Sequence, residues 1–242
     1  MSKSEKYIDI DWQERNKSLI LSQIGDELFS CVFAKKAIEK RTVFWAFCDC
    51  SDNGYSDFFN SLINYTEFLK KTDVLDRVLS PLIVVVKSDC LDLESQHKTA
   101  WNFIQYLIDN DPKVWNNDIT KDVYDFKWCL YFNDVQLFIN ISCSKHKKLK
   151  SRNLSDDICL IINPREVFDL VAPYNRSKGL KIRNHIRERI CLFNQTDTYP
   201  PELGFFGDRN NLEWRQYQLY EEGALDNTNC PIYLKNHSVK KR

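Results

Sequence analysis

Five basic side chains surround one histidine where an apolar stretch ends: Ser142 to Arg152 reads Ser-Cys-Ser-Lys-His-Lys-Lys-Leu-Lys-Ser-Arg. Such a run is either a solvated loop or an anion site. In the second case Arg152 and the lysines hold a carboxylate or phosphate, and a neutral His146 offers a ring nitrogen to a metal. Arginines recur between Gly179 and Asn194, where Ile182, Ile186, Ile190 and Phe193 share one helical face. At about 100° per residue Arg189 projects into that face and Arg183 borders it. A cation there requires a partner, and spacing favours a neighbouring carboxylate over the acidic groups of a cofactor. A third cluster runs from Leu203 to Tyr217, where Gly204 and Gly207 flank Phe205 and Phe206 and permit close approach of something flat or large. Asp208 and Glu213 beside Trp214 suit a planar guanidinium; the competing arrangement buries the aromatics and pairs the acids with Arg209 and Arg215.

Cys31 sits between an apolar stretch and Lys35-Lys36, whose charge would lower its pKa unless the thiol is simply buried. Asn163-Pro164-Arg165-Glu166 reads as a strand end followed by a capped helix start. Cys48 and Cys50 are too close for half of a zinc knuckle, and His97 falls on an apolar stripe as a core histidine would. The chain has no Walker loop, G-x-G-x-x-G, G-x-S-x-G or H-E-x-x-H.

These residues need a scaffold. Strand-forming clusters lie at Thr42 to Phe47, Leu82 to Val86, Lys127 to Phe132, Gln136 to Ser142 and Ile158 to Asn163. Asn133-Asp134 turns the third into the fourth as an antiparallel hairpin. Ser56 to Leu79 and Ser95 to Ile108 carry one-sided apolar spacing; Ser95 caps the second, and Asp109-Asn110-Asp111-Pro112 stops it. The expectation is an α+β fold, residues 1–242 forming a single domain with a small mixed, mainly antiparallel sheet flanked by helices, and residues 228–242 as a loose tail.

Composition narrows the function. The chain has 242 residues, 34 basic and 34 acidic side chains and no formal net charge, so no global field draws it to nucleic acid or an anionic membrane. The run Pro81 to Val86 is too short to span a bilayer, and the charged N-terminal segment lacks the apolar core of a secretion signal; the expected location is cytoplasmic. Nine cysteines, an odd number with several inside apolar runs, read as reduced thiols.

In order and spacing these segments resemble the YqcI/YcgG family. The residues that carry the likeness are Phe29 to Ala37; Phe138 to Cys143 leading to His146 and Ser151-Arg152-Asn153-Leu154; Asn163 to Glu166; Lys181-Ile182-Arg183 with Ile186 to Ile190; and Leu203-Gly204 through Gly207-Asp208 to Glu213-Trp214-Arg215-Gln216-Tyr217. Ser144 and Ser30 depart from the pattern, standing where proline commonly precedes the histidine and the cysteine. The resemblance implies a haem-dependent oxygenase that N-hydroxylates the guanidine group of arginine or an arginine-like amino acid. It also implies haem b (iron protoporphyrin IX) and an external electron donor. On that reading His146 is the first candidate for the iron ligand and Cys31 the second, with His185 and His97 behind them. Arg152, Arg183 and Arg189 would clamp the propionates; Glu213 and Asp208 would hold the guanidinium, with Trp214 stacked on it. A non-catalytic haem-binding or sensing protein is the main alternative, and a nucleic-acid module using Lys145 to Arg152 the weakest. A homodimer stays open.

Overall fold

A computed structural model describes residues 10–116 and 118–234 of the chain. At its centre lies the run Leu82 to Val86, every residue of which is buried. That run forms β2 (Leu82–Lys87) in an open five-stranded sheet of order β1-β2-β5-β4-β3. β1 (Phe44–Asp49) pairs with it in parallel, and β5 (Ile158–Pro164) antiparallel on its other side. β4 (Val135–Ser142) and β3 (Leu130–Phe132) continue the antiparallel part. Asn133 and Asp134 join those two strands at φ 49° and 62°, as a two-residue hairpin turn requires. The architecture is the expected single-domain α+β arrangement.

Both faces of β2 are covered, which is why its sequence does not alternate. Leu82, Val84 and Val86 face the cluster built by α3 (Asp52–Lys71) and α4 (Leu93–Asp109), whereas Ile83 and Val85 pack with Trp12, Ile20 and Ile24 of α1 (Ile10–Gly25). α3 stops eight residues short of the predicted Leu79, because the Asp73 side chain accepts the Leu75 N–H at 2.9 Å and turns the chain there. The cap of α4 is Asp92, which accepts the Ser95 N–H at 2.7 Å; Ser95 itself lies inside the helix. α1 and the short α2 (Val32–Glu39) had no counterpart in the sequence reading.

After β5 come α5 (Glu166–Val171), α6 (Ser177–Asn194) and α7 (Glu213–Tyr217). Phe138 of β4 meets Phe168 of α5 and Tyr217 of α7 edge-on, at 4.9 and 5.1 Å. Gly179 lets α6 start flush against the preceding turn, since a Cβ there would fall 2.0 Å from the Pro173 carbonyl oxygen. Of the tail expected to be loose, residues 228–234 pack on the domain, with Cys230 and Ile232 buried and Tyr233 exchanging two hydrogen bonds with Gln105 of α4. Residues 235–242 lie outside the described ones. All nine cysteines are free thiols, and no described helix is long and apolar enough to cross a membrane.

Candidate active site

On the side of the sheet where β4 presents Phe138 and Asn140, the segments after β5 enclose a cavity of about 220 Å³. Cys31, at the N-cap of α2, forms part of its wall. α5 and the residue before it contribute Phe168 and Arg165, α6 contributes Arg183 and Arg187, and Phe206 and Glu213 close the far side. Phenyl rings and guanidinium groups dominate the lining.

The electrostatics are lopsided. Arg165 is buried, lies 2.8 Å from Asp169 and 3.6 Å from Glu213, and stacks 3.7 Å over the Phe206 ring; its Nε finds no hydrogen-bond acceptor. Glu213 accepts from the Tyr217 hydroxyl at 3.2 Å, and burial pushes its carboxyl up to about 8 despite Arg165. Arg152, Arg183 and Arg187 have no carboxylate within 4 Å among the described residues. Burial brings Arg152 down to about 9 against the pull of Glu202. Its Nη1 donates to the Asn140 side chain, to Ile141 O at 3.1 Å and to Tyr217 O at 2.9 Å, and its Nη2 to Gln216 O at 3.0 Å. Arg152 thus gives the cavity charge, with those donors already engaged. Cationic groups exceed ionised acids, so the cavity suits a ligand that carries negative charge.

The sequence-derived set divides in two. Cys31, Arg152, Arg183 and Glu213 come together on this cavity; His146, Arg189, Asp208 and Trp214 do not line it. Arg189 donates to the carbonyls of Glu27 and Phe29, pinning the α1–α2 connection that delivers Cys31. Trp214 is a core residue whose indole donates to Val123 O at 3.0 Å, and Asp208 caps the Asn210 N–H within its own loop. His146 is buried with its Nε2 3.3 Å from Nε2 of His97 and its Nδ1 3.1 Å from Glu221. His185 lies on α6, 4.0 Å from Glu188. The basic run does gather an anion, and that anion belongs to the chain. The Glu221 carboxylate accepts the backbone N–H groups of Lys147, Lys148 and Leu149 at 2.8, 3.2 and 2.8 Å, while the lysine side chains point to solvent. Arg165 and Arg187 were missed as site residues. The first was absorbed by a capping argument; the second stands four residues from Arg183, a spacing that signals one shared helical face.

Among the described residues no three histidine, cysteine or acidic groups gather as a metal site. A haem iron asks for less, one axial nitrogen or sulfur and cations for the porphyrin's acids. Cys31 is the sulfur on the cavity wall, no described histidine lines it, and Arg152 contributes a cation with no carboxylate within 4 Å among the described residues, so the donor types fit. Burial raises the Cys31 pKa, partly offset by the backbone N–H groups of Ala34 and Phe33 at the start of α2. The volume suits an amino acid; a macrocycle would require the walls to part.

Comparison with known proteins agrees with the resemblance read from the sequence. The profile of the YqcI/YcgG family matches residues 20–233. A Streptomyces lavendulae protein, DcsA, provisionally described as an N(omega)-hydroxy-L-arginine synthase, is 34% identical over 222 residues, 89% of this chain and 82% of its own. Two uncharacterised Bacillus subtilis proteins also match: YcgG at 26% identity, covering 93% of this chain and 90% of its own, and YqcI at 30%, covering 62% and 58%. No solved structure matches the chain.

Proposed function

The chain belongs to the YqcI/YcgG family, and from that premise we propose that it N-hydroxylates the guanidine group of arginine or an arginine-like amino acid, using haem b that Cys31 would hold once the cavity walls part to admit it. The relationship to the Streptomyces protein supports the reaction. The observation that carries the site is the convergence of a thiol, a buried carboxyl group and surplus arginines on one apolar cavity. Cys31 would hold the iron and Arg152 would offset the porphyrin's acidic charge. When bound, haem supplies the oxygen activation that none of these side chains performs, with electrons from an external donor. The Phe33, Phe138 and Phe206 rings exclude water, and Glu213 orients the guanidinium.

Adding hemin to the purified protein should produce a Soret band, and arginine with a reductant should then yield a monohydroxylated product by mass spectrometry. Cys31→Ser should shift that band and weaken hemin binding at least about tenfold. A wild-type protein that stays colourless defeats the haem assignment, and an unchanged Cys31→Ser spectrum removes Cys31 as the iron ligand.

Glu213 gives the site a pH signature. With its pKa near 8 the carboxyl is largely protonated at neutral pH, and a guanidinium beside it favours the ionised form. Arginine binding should therefore release a proton, and its affinity should rise about tenfold per pH unit towards the Glu213 pKa. Calorimetry in buffers of different ionisation heat measures that proton. Glu213→Gln should abolish the release and spare hemin binding; equal proton release from the variant removes Glu213 from the site.

A further inference from the structure

α6 turns two arginines towards the cavity one helical turn apart, Arg183 and Arg187. Like charges at that spacing repel; burial lowers the Arg183 pKa first, with Arg165 and Arg187 adding to it against the pull of Asp169, and neither arginine has a carboxylate within 4 Å among the described residues. Both guanidinium groups lie over one ring, Phe205, at 5.0 and 4.9 Å. Backbone carbonyls fix them in place. Arg183 Nε donates to Ala172 O at 2.6 Å, and Arg187 Nη2 donates to Leu203 O at 2.8 Å. No described group accepts from Nε or Nη1 of Arg187. Two immobilised cations stacked on a shared aromatic face, with donors left over and no carboxylate in direct contact among the described residues, are a fork for a carboxylate.

Building on the guanidine reading above, we propose that Arg183 and Arg187 bind the α-carboxylate of the substrate, so that the chain takes free amino acids and discriminates against the corresponding amines. Arg183, which the family resemblance suggested for a propionate, is thereby assigned to substrate. Glu213 and the fork would grip opposite ends of one amino acid, its guanidinium and its carboxylate.

The test is a binding cycle on hemin-loaded protein, read by calorimetry, with L-arginine, agmatine (the same molecule without the carboxylate) and L-citrulline (the carboxylate without the cationic guanidinium). Wild type should prefer arginine to agmatine by about 10- to 100-fold, and Arg187→Gln should erase that preference by weakening arginine while leaving agmatine unchanged. Arg187→Lys, which keeps charge but not the fork, should restore only part of it. Equal affinities for arginine and agmatine in wild type, or equal losses in the variant, overturn the proposal. Hemin titration of Arg187→Gln separates the other carboxylate source: weakened hemin binding with an intact arginine preference assigns the fork to a propionate and rejects the substrate role. Should arginine and agmatine both fail to bind while citrulline binds wild type and not the variant, the fork survives and the guanidine reading falls. Silence of all three ligands rejects the fork.

Discussion

Replacing Arg152 with methionine should cost about 3–5 kcal/mol of folding stability, since several buried neutral acceptors lose a charged donor at about 1–3 kcal/mol each. The side chain is 4% exposed, and its guanidinium ties three pieces of the chain together. It donates to Asn140 and Ile141 of β4 and to Gln216 and Tyr217 of α7, while its own backbone oxygen accepts from Cys143 N at 2.7 Å. Methionine fills similar volume, so the loss isolates the stranded acceptors from any cavity effect. α7 carries Glu213, so the same substitution should loosen the acidic side of the site. Urea unfolding followed by far-ultraviolet circular dichroism measures the difference. A midpoint displaced by less than about 1 kcal/mol equivalent would mean that water replaces the arginine at those carbonyls.

The sheet was legible because its signals are local. Uninterrupted apolar runs rich in isoleucine and valine give β2 and β5, and Asn133-Asp134 tolerates the positive φ that the β3–β4 turn needs. α1 was hidden by its own pattern: its buried positions Trp12, Asn16, Ile20 and Ile24 include an asparagine that donates to Trp12 O and to Asp157, 141 residues away. A polar residue in an apolar stripe is uninformative until its distant partner is known. The site failed for the same reason. Glu221, which satisfies the basic run, is 74 residues beyond Lys147, and spacing within the run cannot show that the waiting anion is internal. Arg189 was read as needing a carboxylate or a cofactor's acids, whereas its partners are the carbonyls of Glu27 and Phe29, which every sequence offers. Cys31, Arg183 and Glu213 reach the cavity from three separate segments, and only the packing of α2, α6 and α7 beside β4 brings them there.

Acidification should destabilise this protein through the buried His97–His146–Glu221 array, and His97→Gln should remove much of that sensitivity. His97 is fully buried on α4, its Nδ1 accepts the Leu225 N–H at 3.3 Å, and its Nε2 faces His146. That geometry assigns the Nε2 proton of a neutral His97 to the His146 ring. A second proton would break the Leu225 bond. Burial first, then His146 and Arg152, bring the His97 pKa down to about 3 against the pull of Glu221. Above about pH 6.5 the residue is neutral folded and unfolded and contributes no pH dependence. Below it the unfolded chain takes the proton first, so stability falls by about 1.4 kcal/mol per pH unit until the folded pKa is reached. Glu221 adds a lower window. Burial acts to raise its pKa, but His146 and the N–H groups of Lys147 and Leu149 outweigh it and hold the group at about 2, so its contribution is lost between about pH 4.5 and 2. Between pH 7 and about 4.5, wild type should therefore lose about 2–3 kcal/mol more than His97→Gln, whatever the variant's stability at neutral pH. Denaturant midpoints of both proteins at the two pH values give that difference. Parallel losses would show that His97 takes up its proton without disturbing the fold, and that residues 221–225 are held by contacts other than this array.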